Sequence, residues 1–393
     1  SDKTMNGTIF LSFQSNSEAH EKLIQLSGSL DHLNETEDYP LQIWSTNTDP
    51  SYHICLAGSQ EFISENIRKQ GYFGPVSLVK ELVTRSRRER AADTTGVVVD
   101  IGANIGAVAL YAAALGERVI ALEALPALAR KLQASCVMNG WCSVDQTAYD
   151  EYTTQTDQMI IVAKAASNNH STGRLTYDWH YLPKNGMEDV REREREREQE
   201  GRSHTNSSDI SSYLRNSGAA TMIDVLGNTA QFDDSNLVGS DLARAKQIVV
   251  ETVTIDSVLE KAGLLPPSSS SEVQFSQQNN NQNQAPLSYP PISLLKLDCE
   301  GCEPKALLGA SRMFMYNPPQ YIITEVYSKV LLIEGWSVRK YLSLLDELGY
   351  DLYDGSLDRP LDKDFKIMDR HGNIQDDADE SFYAESYICK RRK

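Results

Sequence analysis

Residues 97–110 read VVVDIGANIGAVAL, an apolar run carrying one aspartate and then two glycines four apart. That pattern suits a ligand-holding turn between a buried strand and a helix. Gly102 and Gly106 let the backbone pass close to a bound group, and Asn104 tolerates an unusual φ or hydrogen-bonds the turn. Amides at the start of the helix would face the ligand. Two features oppose a dinucleotide: the spacing is GxNxG rather than GxGxxG, and the Asp100 charge, two residues before the first glycine, would repel a pyrophosphate. A cofactor with a positive end suits it better. Glu123 closes VIALE about 20 residues later and can accept both hydroxyl protons of a ribose. The bland alternative is that Asp100 and Glu123 only cap helices.

A second constellation lies in KLDCEG, where Lys296, Asp298 and Glu300 alternate along one strand and share a face about 7 Å apart. Pairing with an aspartate, which neutralises a partly buried charge, is the role expected of Lys296. Asp298, Glu300 and then Glu325, which closes the following strand, are the candidate catalytic carboxylates in that order, to orient an acceptor or take its proton. All three are also open to a purely structural use. The seven histidines show no HxxxH or HExxH spacing, and His170 and His180, after the third strand, are lesser candidates. The CxxC of DCEGCE lacks the second ligand pair of a structural zinc site, so no metal is expected. Cys55, Cys136, Cys142, Cys299, Cys302 and Cys389 are too few and too scattered for a disulfide scaffold, and reduced thiols are the expectation.

The elements that must position these residues alternate in type. Val97–Asp100, Arg118–Glu123, Gln158–Ala165, Ser293–Asp298 and Tyr321–Val326 read as strands, with helices expected over Ile105–Leu115, Pro126–Asn139, ETVTIDSVLEKAG, the segment from Pro304, and VRKYLSLLDELG. Strands at Tyr350–Tyr353 and Phe382–Cys389 would close the chain. This is the pattern of a doubly wound α/β sheet with an antiparallel edge. Residues 1–90 lack the alternation and read as an N-terminal cap with an amphipathic helix from Val76 to about Arg90, ahead of a main domain over 91–393.

Two low-complexity segments, about 183–245 with its REREREREQE run and 266–291 with QQNNNQNQ, read as disordered surface-loop insertions. Thirty-eight basic against 55 acidic residues give a net charge of −17, which repels phosphate backbones and anionic lipid, so no nucleic-acid partner is expected. The basic runs Arg85–Arg90 and Lys390–Lys393 read as a solvated helix end and tail. No stretch of 18 uncharged apolar residues is present, so no membrane span is expected in the chain. It starts at Ser1, which leaves room for a preceding anchor or signal and keeps the compartment open.

DIGANIGAVALYAAALG, VIALEALPALARKLQASCVMNG, TVTIDSVL, LLKLDCEGCEPKALLGA and YIITEV, taken in order, resemble the successive motifs of FkbM-type S-adenosylmethionine-dependent methyltransferases. The segment KLDCEGCE against that family's K-[IL]-D-x-E-G-x-E pattern is the most specific part. The resemblance implies a Rossmann-like, seven-stranded class I methyltransferase sheet. It also implies methyl transfer from S-adenosylmethionine to a hydroxyl of a sugar or other small molecule. Asp100, Gly102, Asn104 and Gly106 would then hold the methionine end, Glu123 the ribose, and Asn139, Ala165, Ala166 and Ser167 the adenine. Positioning supplies much of the acceleration of an in-line displacement, so a strong base is not obligatory. Cys299 and Cys302 depart from positions that are often small or aliphatic, and the insertions are long. The rival readings are a cofactor-binding scaffold on the same fold and a nicotinamide-dependent oxidoreductase.

Overall fold

The computed structural model describes residues 42–57, 62–90, 94–142, 158–178, 220–224, 245–268, 289–361, 367–368, 374–375 and 384–392. His180 and most of both expected insertions lie outside these residues. In chain order the elements are β1 (Gln42–Ser45), β2 (His53–Leu56), α1 (Phe62–Gln70), α2 (Val76–Glu89), β3 (Val97–Ile101), α3 (Ala107–Ala114), β4 (Arg118–Leu122) and α4 (Pro126–Met138). There follow β5 (Met159–Val162), β6 (Ala165–Ala166), β7 (Ser171–Asp178), β8 (Ala220–Asp224), β9 (Ala245–Val253), α5 (Ile255–Lys261), β10 (Ile292–Leu297), α6 (Glu303–Leu308) and α7 (Ser311–Tyr316). The last are β11 (Tyr321–Tyr327), α8 (Ser328–Ile333), α9 (Val338–Glu347), β12 (Tyr350–Asp354), β13 (Ile367–Met368), β14 (Ile374–Gln375) and β15 (Ala384–Arg391).

Seven strands form one mostly parallel sheet in the order β12-β15-β11-β10-β3-β4-β5. Every residue of β3 and β10 is buried, as strands covered on both faces require. Alternate residues feed two cores: Val97, Val99 and Ile101 pack with α5 to α9, while Val98 packs with α2, α3 and α4. A register shift between Ile292 and Leu294 lets Ile292, Leu295 and Leu297 share the first core although the spacing is uneven. α3 is buried from Ala107 through Ala113, which explains why its sequence is apolar all round rather than amphipathic. Gly116, at φ 87°, stops it as a left-handed residue should.

The last two strands of the sheet pair antiparallel at one edge as expected, β15 lying between β11 and β12 and antiparallel to both. Three expectations are corrected. ETVTIDSVLEKAG does not open as a helix: its β-branched start completes β9, and α5 begins only after Thr254, whose hydroxyl accepts from the Ser257 amide at 3.2 Å. The third strand ends at Val162, and Ala165–Ala166 leave it to pair with β9 in a separate four-stranded sheet, β6-β9-β7-β8. β8 lies inside the segment expected to be a disordered insertion and pairs with β7 from Gly173 to Tyr177, a non-local partnership invisible to composition.

The cysteines are a further correction, because Cys136–Cys142 and Cys299–Cys302 are disulfides, with Cα separations of 5.5 and 5.4 Å. Cys55 and Cys389 are buried thiols. Among the described residues no helix is long and apolar enough to cross a membrane.

Candidate functional site

Helices return the chain between parallel strands, so the carboxyl ends of β3, β4, β10 and β11 gather their exit loops at one end of the sheet. The loop after β3 turns through three left-handed residues, Gly102 (φ 77°), Asn104 (φ 53°) and Gly106 (φ 93°). The two glycines are demanded by the chain itself. A Cβ on Gly102 would stand 1.8 Å from the Asp298 carbonyl oxygen, and one on Gly106 would stand 2.2 Å from Leu132 Cδ1. The amides of Gly102 and Ala103 both donate to the Leu122 carbonyl at 2.9 Å, which fastens the loop to the end of β4. Asn104 uses its side-chain oxygen to accept from the Ile105 amide at 2.7 Å.

Glu123 completes this loop. It is 6% exposed, and its two oxygens accept from the Asn104 amide at 2.7 Å and the Leu125 amide at 2.8 Å. Burial pushes its carboxyl up to about 7 despite those two donors. Each oxygen keeps acceptor capacity beyond the amide it holds.

Strand register builds the second half. Lys296 of β10 is the direct partner of Asp100 on β3, and its Nζ lies 3.2 Å from Asp100 Oδ1, 3.2 Å from Asp298 Oδ2 and 3.2 Å from the Gly102 carbonyl. The expected pairing role of Lys296 is therefore met twice over. Asp100 is fully buried, and neither of its oxygens has a well-directed hydrogen-bond donor among the described residues. Burial raises its carboxyl, and the Lys296 charge works against that rise. Leu297 pairs with Thr324, so Asp298 and Glu325 emerge side by side from adjacent parallel strands. Burial would raise Asp298, but Lys296 and a hydrogen bond from Glu325 hold it below the usual aspartate range. Glu325 takes the opposite course: burial and the Asp298 charge push it far up. One proton shared between two adjacent carboxyls is the arrangement that results.

Glu300, at φ 60°, is raised to about 8 by burial and by Glu303. Glu303 is a turn-shaping residue that sequence reasoning passed over. It is 3% exposed, and its oxygens accept from the Cys299 amide at 2.8 Å and the Gly301 amide at 2.9 Å, which fixes the turn between β10 and α6. Burial lifts it to about 7. Its signal was present: a glutamate opening a helix after a glycine-bearing turn is placed to bond back to the turn amides.

Not every expected residue joins this cluster. Asn139 follows α4, which runs back from the Glu123 end for 13 residues, about 20 Å, to the other end of the sheet. There its side chain donates to the His53 and Ser135 carbonyls at 2.7 Å each and accepts from the His53 amide at 2.9 Å, tying β2 to the helix. Ala165, Ala166 and Ser167 do lie beyond the carboxyl end of β5, buried against β9, with the Ser167 amide donating to the Val253 carbonyl at 2.9 Å. His170 is exposed. The expected solvated helix end at Arg85–Arg90 is in part a buried network: Arg87 Nε and Arg90 Nη2 each reach Glu117 Oε1 at 2.7 Å, and Arg90 also donates to Ser293 at 2.8 Å. Glu117 is fully buried; burial would raise it, yet the two guanidiniums hold it low.

Among the described residues no group of three or more His, Cys, Asp or Glu side chains is arranged to hold a metal ion. The site is rich in carboxyls around Lys296 and Glu123. Comparison of the chain with models of known families, with curated proteins and with solved structures returned no match.

Proposed function

We propose that this chain is an S-adenosylmethionine-dependent methyltransferase acting on a hydroxyl of a sugar or other small molecule. One observation carries this: Asp100, Glu123 and the Lys296–Asp298–Glu325 group converge on a single glycine turn at the carboxyl ends of four neighbouring strands. The seven-stranded α/β sheet and the KLDCEGCE motif support it further. The residues present fit the cofactor. Buried Asp100 has two oxygens without directed donors and would face the charged methionine end, and Glu123 keeps acceptor capacity for ribose hydroxyls.

S-adenosylmethionine, when bound, supplies an electrophilic methyl group on a positively charged sulfur. Lys296 keeps Asp298 ionised, so that carboxylate can accept a hydrogen bond from the acceptor hydroxyl and take its proton as the new bond forms. Glu325, holding a proton, donates to Asp298 and fixes its orientation. Asp298 is a weak base, which suffices where alignment supplies most of the rate. Calorimetry with S-adenosylmethionine and with NAD tests the proposal. Binding of the first alone, lost in Asp100→Asn and Glu123→Gln, is expected. Tight NAD binding, or unchanged affinity in both variants, would sink it. Cofactor binding without methyl transfer to any acceptor in a broad hydroxyl screen would favour the scaffold reading.

A further inference from the structure

The Cys299–Cys302 disulfide closes a ring over the turn that carries the acceptor-side carboxyls. Asp298 precedes the ring, and Glu300 and Gly301 lie inside it, both left-handed at φ 60° and 100°. A left-handed glutamate is held against its own preference and persists only where its surroundings over-determine it. Glu303 fixes the amides on either side of Glu300, those of Cys299 and Gly301. The disulfide is the second constraint on the same turn. Cys302 is 6% exposed and Cys299 is only partly buried, so an attacking thiolate meets the Cys299 sulfur first. The same turn touches the cofactor side, because the Asp298 carbonyl packs against Gly102.

We infer that Cys299–Cys302 is a redox gate on the site: closed, it holds Glu300 and Asp298 in place; opened by a dithiol, it releases the turn and weakens ligand binding. The thiolate of the reductant attacks Cys299 Sγ, the Cys299–Cys302 bond breaks, and Cys302 leaves and takes a proton. The second thiol of the reductant then displaces Cys299, which is also protonated, and the reductant departs as its own disulfide. Two electrons and two protons reach the protein. The carboxyls of Asp298, Glu300 and Glu303 around the pair disfavour thiolates, so the opened form is a loosened turn rather than a nucleophile.

The ligand-binding part of this inference rests on the S-adenosylmethionine proposal, but the gate itself does not. About tenfold weaker affinity for the reduced protein is expected, within the usual range of coupling between sites. Reciprocity then requires saturating S-adenosylmethionine to lower the midpoint potential of this disulfide by about 30 mV. The experiment uses full-length Cys136→Ser/Cys142→Ser protein, so that only one disulfide can respond. It is held oxidised or reduced with dithiothreitol, then read by hydrogen exchange of amides 299–303 and by S-adenosylmethionine calorimetry. Faster exchange and weaker binding on reduction are expected, and neither should respond to dithiothreitol in Cys299→Ser/Cys302→Ser protein. Faster exchange with no S-adenosylmethionine binding in either state supports the gate and overturns the cofactor assignment alone. Equal exchange in the two redox states, or a response that survives in Cys299→Ser/Cys302→Ser, overturns the gate. Should the Cys136→Ser/Cys142→Ser protein fail to fold, the wild type gives the same readings once alkylation and mass spectrometry confirm that Cys299–Cys302 is reduced.

Discussion

Lys296→Met removes a cation that two carboxylates face at 3.2 Å, in a position where the lysine is 8% exposed. At an effective dielectric of about 20, each contact carries roughly 5 kcal/mol of attraction. Their mutual repulsion across roughly 6 Å takes back about 3 kcal/mol. The Asp298 side chain is a third exposed, so solvent screens its share, and Asp100, fully buried, bears most of the loss. Desolvation cancels several kcal/mol per ion in the intact pair, and breaking one partner of such a pair costs about 3–5 kcal/mol. Without Lys296 the folded carboxyl of Asp100 lies far above its unfolded value. The deficit is therefore complete at pH 8 and shrinks as pH falls. At pH 5 it should be about 1.5 kcal/mol, set by the distance from the unfolded value near 3.9 at 1.36 kcal/mol per unit. Urea unfolding at the two pH values measures both. Lys296→Met/Asp100→Asn should recover much of the loss at pH 8. A deficit under about 1 kcal/mol at pH 8, or one equal at pH 5 and pH 8, would refute the electrostatic account.

Gly102→Ala would drive a Cβ to 1.8 Å from a backbone carbonyl at φ 77°, so a loss of about 3 kcal/mol and of S-adenosylmethionine binding is expected, read by unfolding and calorimetry. Asn139→Ala should cost about 1–3 kcal/mol, because it strands the His53 amide and carbonyl, yet leave cofactor affinity unchanged; a lost affinity would return Asn139 to the site. In the wild type, burial raises Glu123 and Glu303 to about 7 and Glu300 to about 8. Their contribution is complete below the unfolded value and is lost as pH rises through 7 to 8, whereas Glu117 and Asp298, held low, contribute above theirs and fail in acid. Thermal unfolding should therefore peak in mildly acid solution, and a midpoint that climbs steadily to pH 8.5 would contradict these shifts.

The sheet was legible where residues report their own neighbours. β3 and β10 are mostly apolar, broken by Asp100 in one and by Ser293 and Lys296 in the other, because both faces are covered, and Gly116 and Gly140 mark helix ends by their left-handed φ. What stayed hidden depends on partners distant in sequence. Nothing in AESYICKR says that β15 enters between β11 and β12, and nothing in ATMID announces a strand until β7 is beside it. At the site, a pairing of Lys296 with Asp298 could be read in advance from their alternation along one strand, whereas its contact with Asp100 came only with the register of β10 against β3. Asn139 could not be placed, because a motif records order along the chain and not which end of the sheet a helix has reached. Cysteine spacing likewise left oxidation state undetermined, and the two short-range disulfides came only with the folded geometry.

The electrostatics of the cluster bear on ligand class independently of any motif. Asp100, Asp298, Glu123 and Glu325 all feel the Lys296 charge, Glu300 and Glu303 lie on the turn that follows Asp298, and burial lifts all of these carboxyls but Asp298 above ordinary values. Burial is the largest cause of each rise, and a neighbouring carboxylate adds to it in every case, so negative charge is already in excess at this end of the sheet. A pyrophosphate would deepen the imbalance. A cation would relieve it and displace protons from the raised carboxyls, so its binding free energy includes the release of a cost already built into the fold. The same surplus explains why Glu123 and Glu303 each grip two backbone amides: without those donors the carboxyls would be costlier to bury, and the two loops that frame the site would lose their anchors. Charge and loop geometry are thus set by the same residues, which is why a redox change at Cys299–Cys302 would be felt at Asp298 and, through Gly102, at the turn after β3.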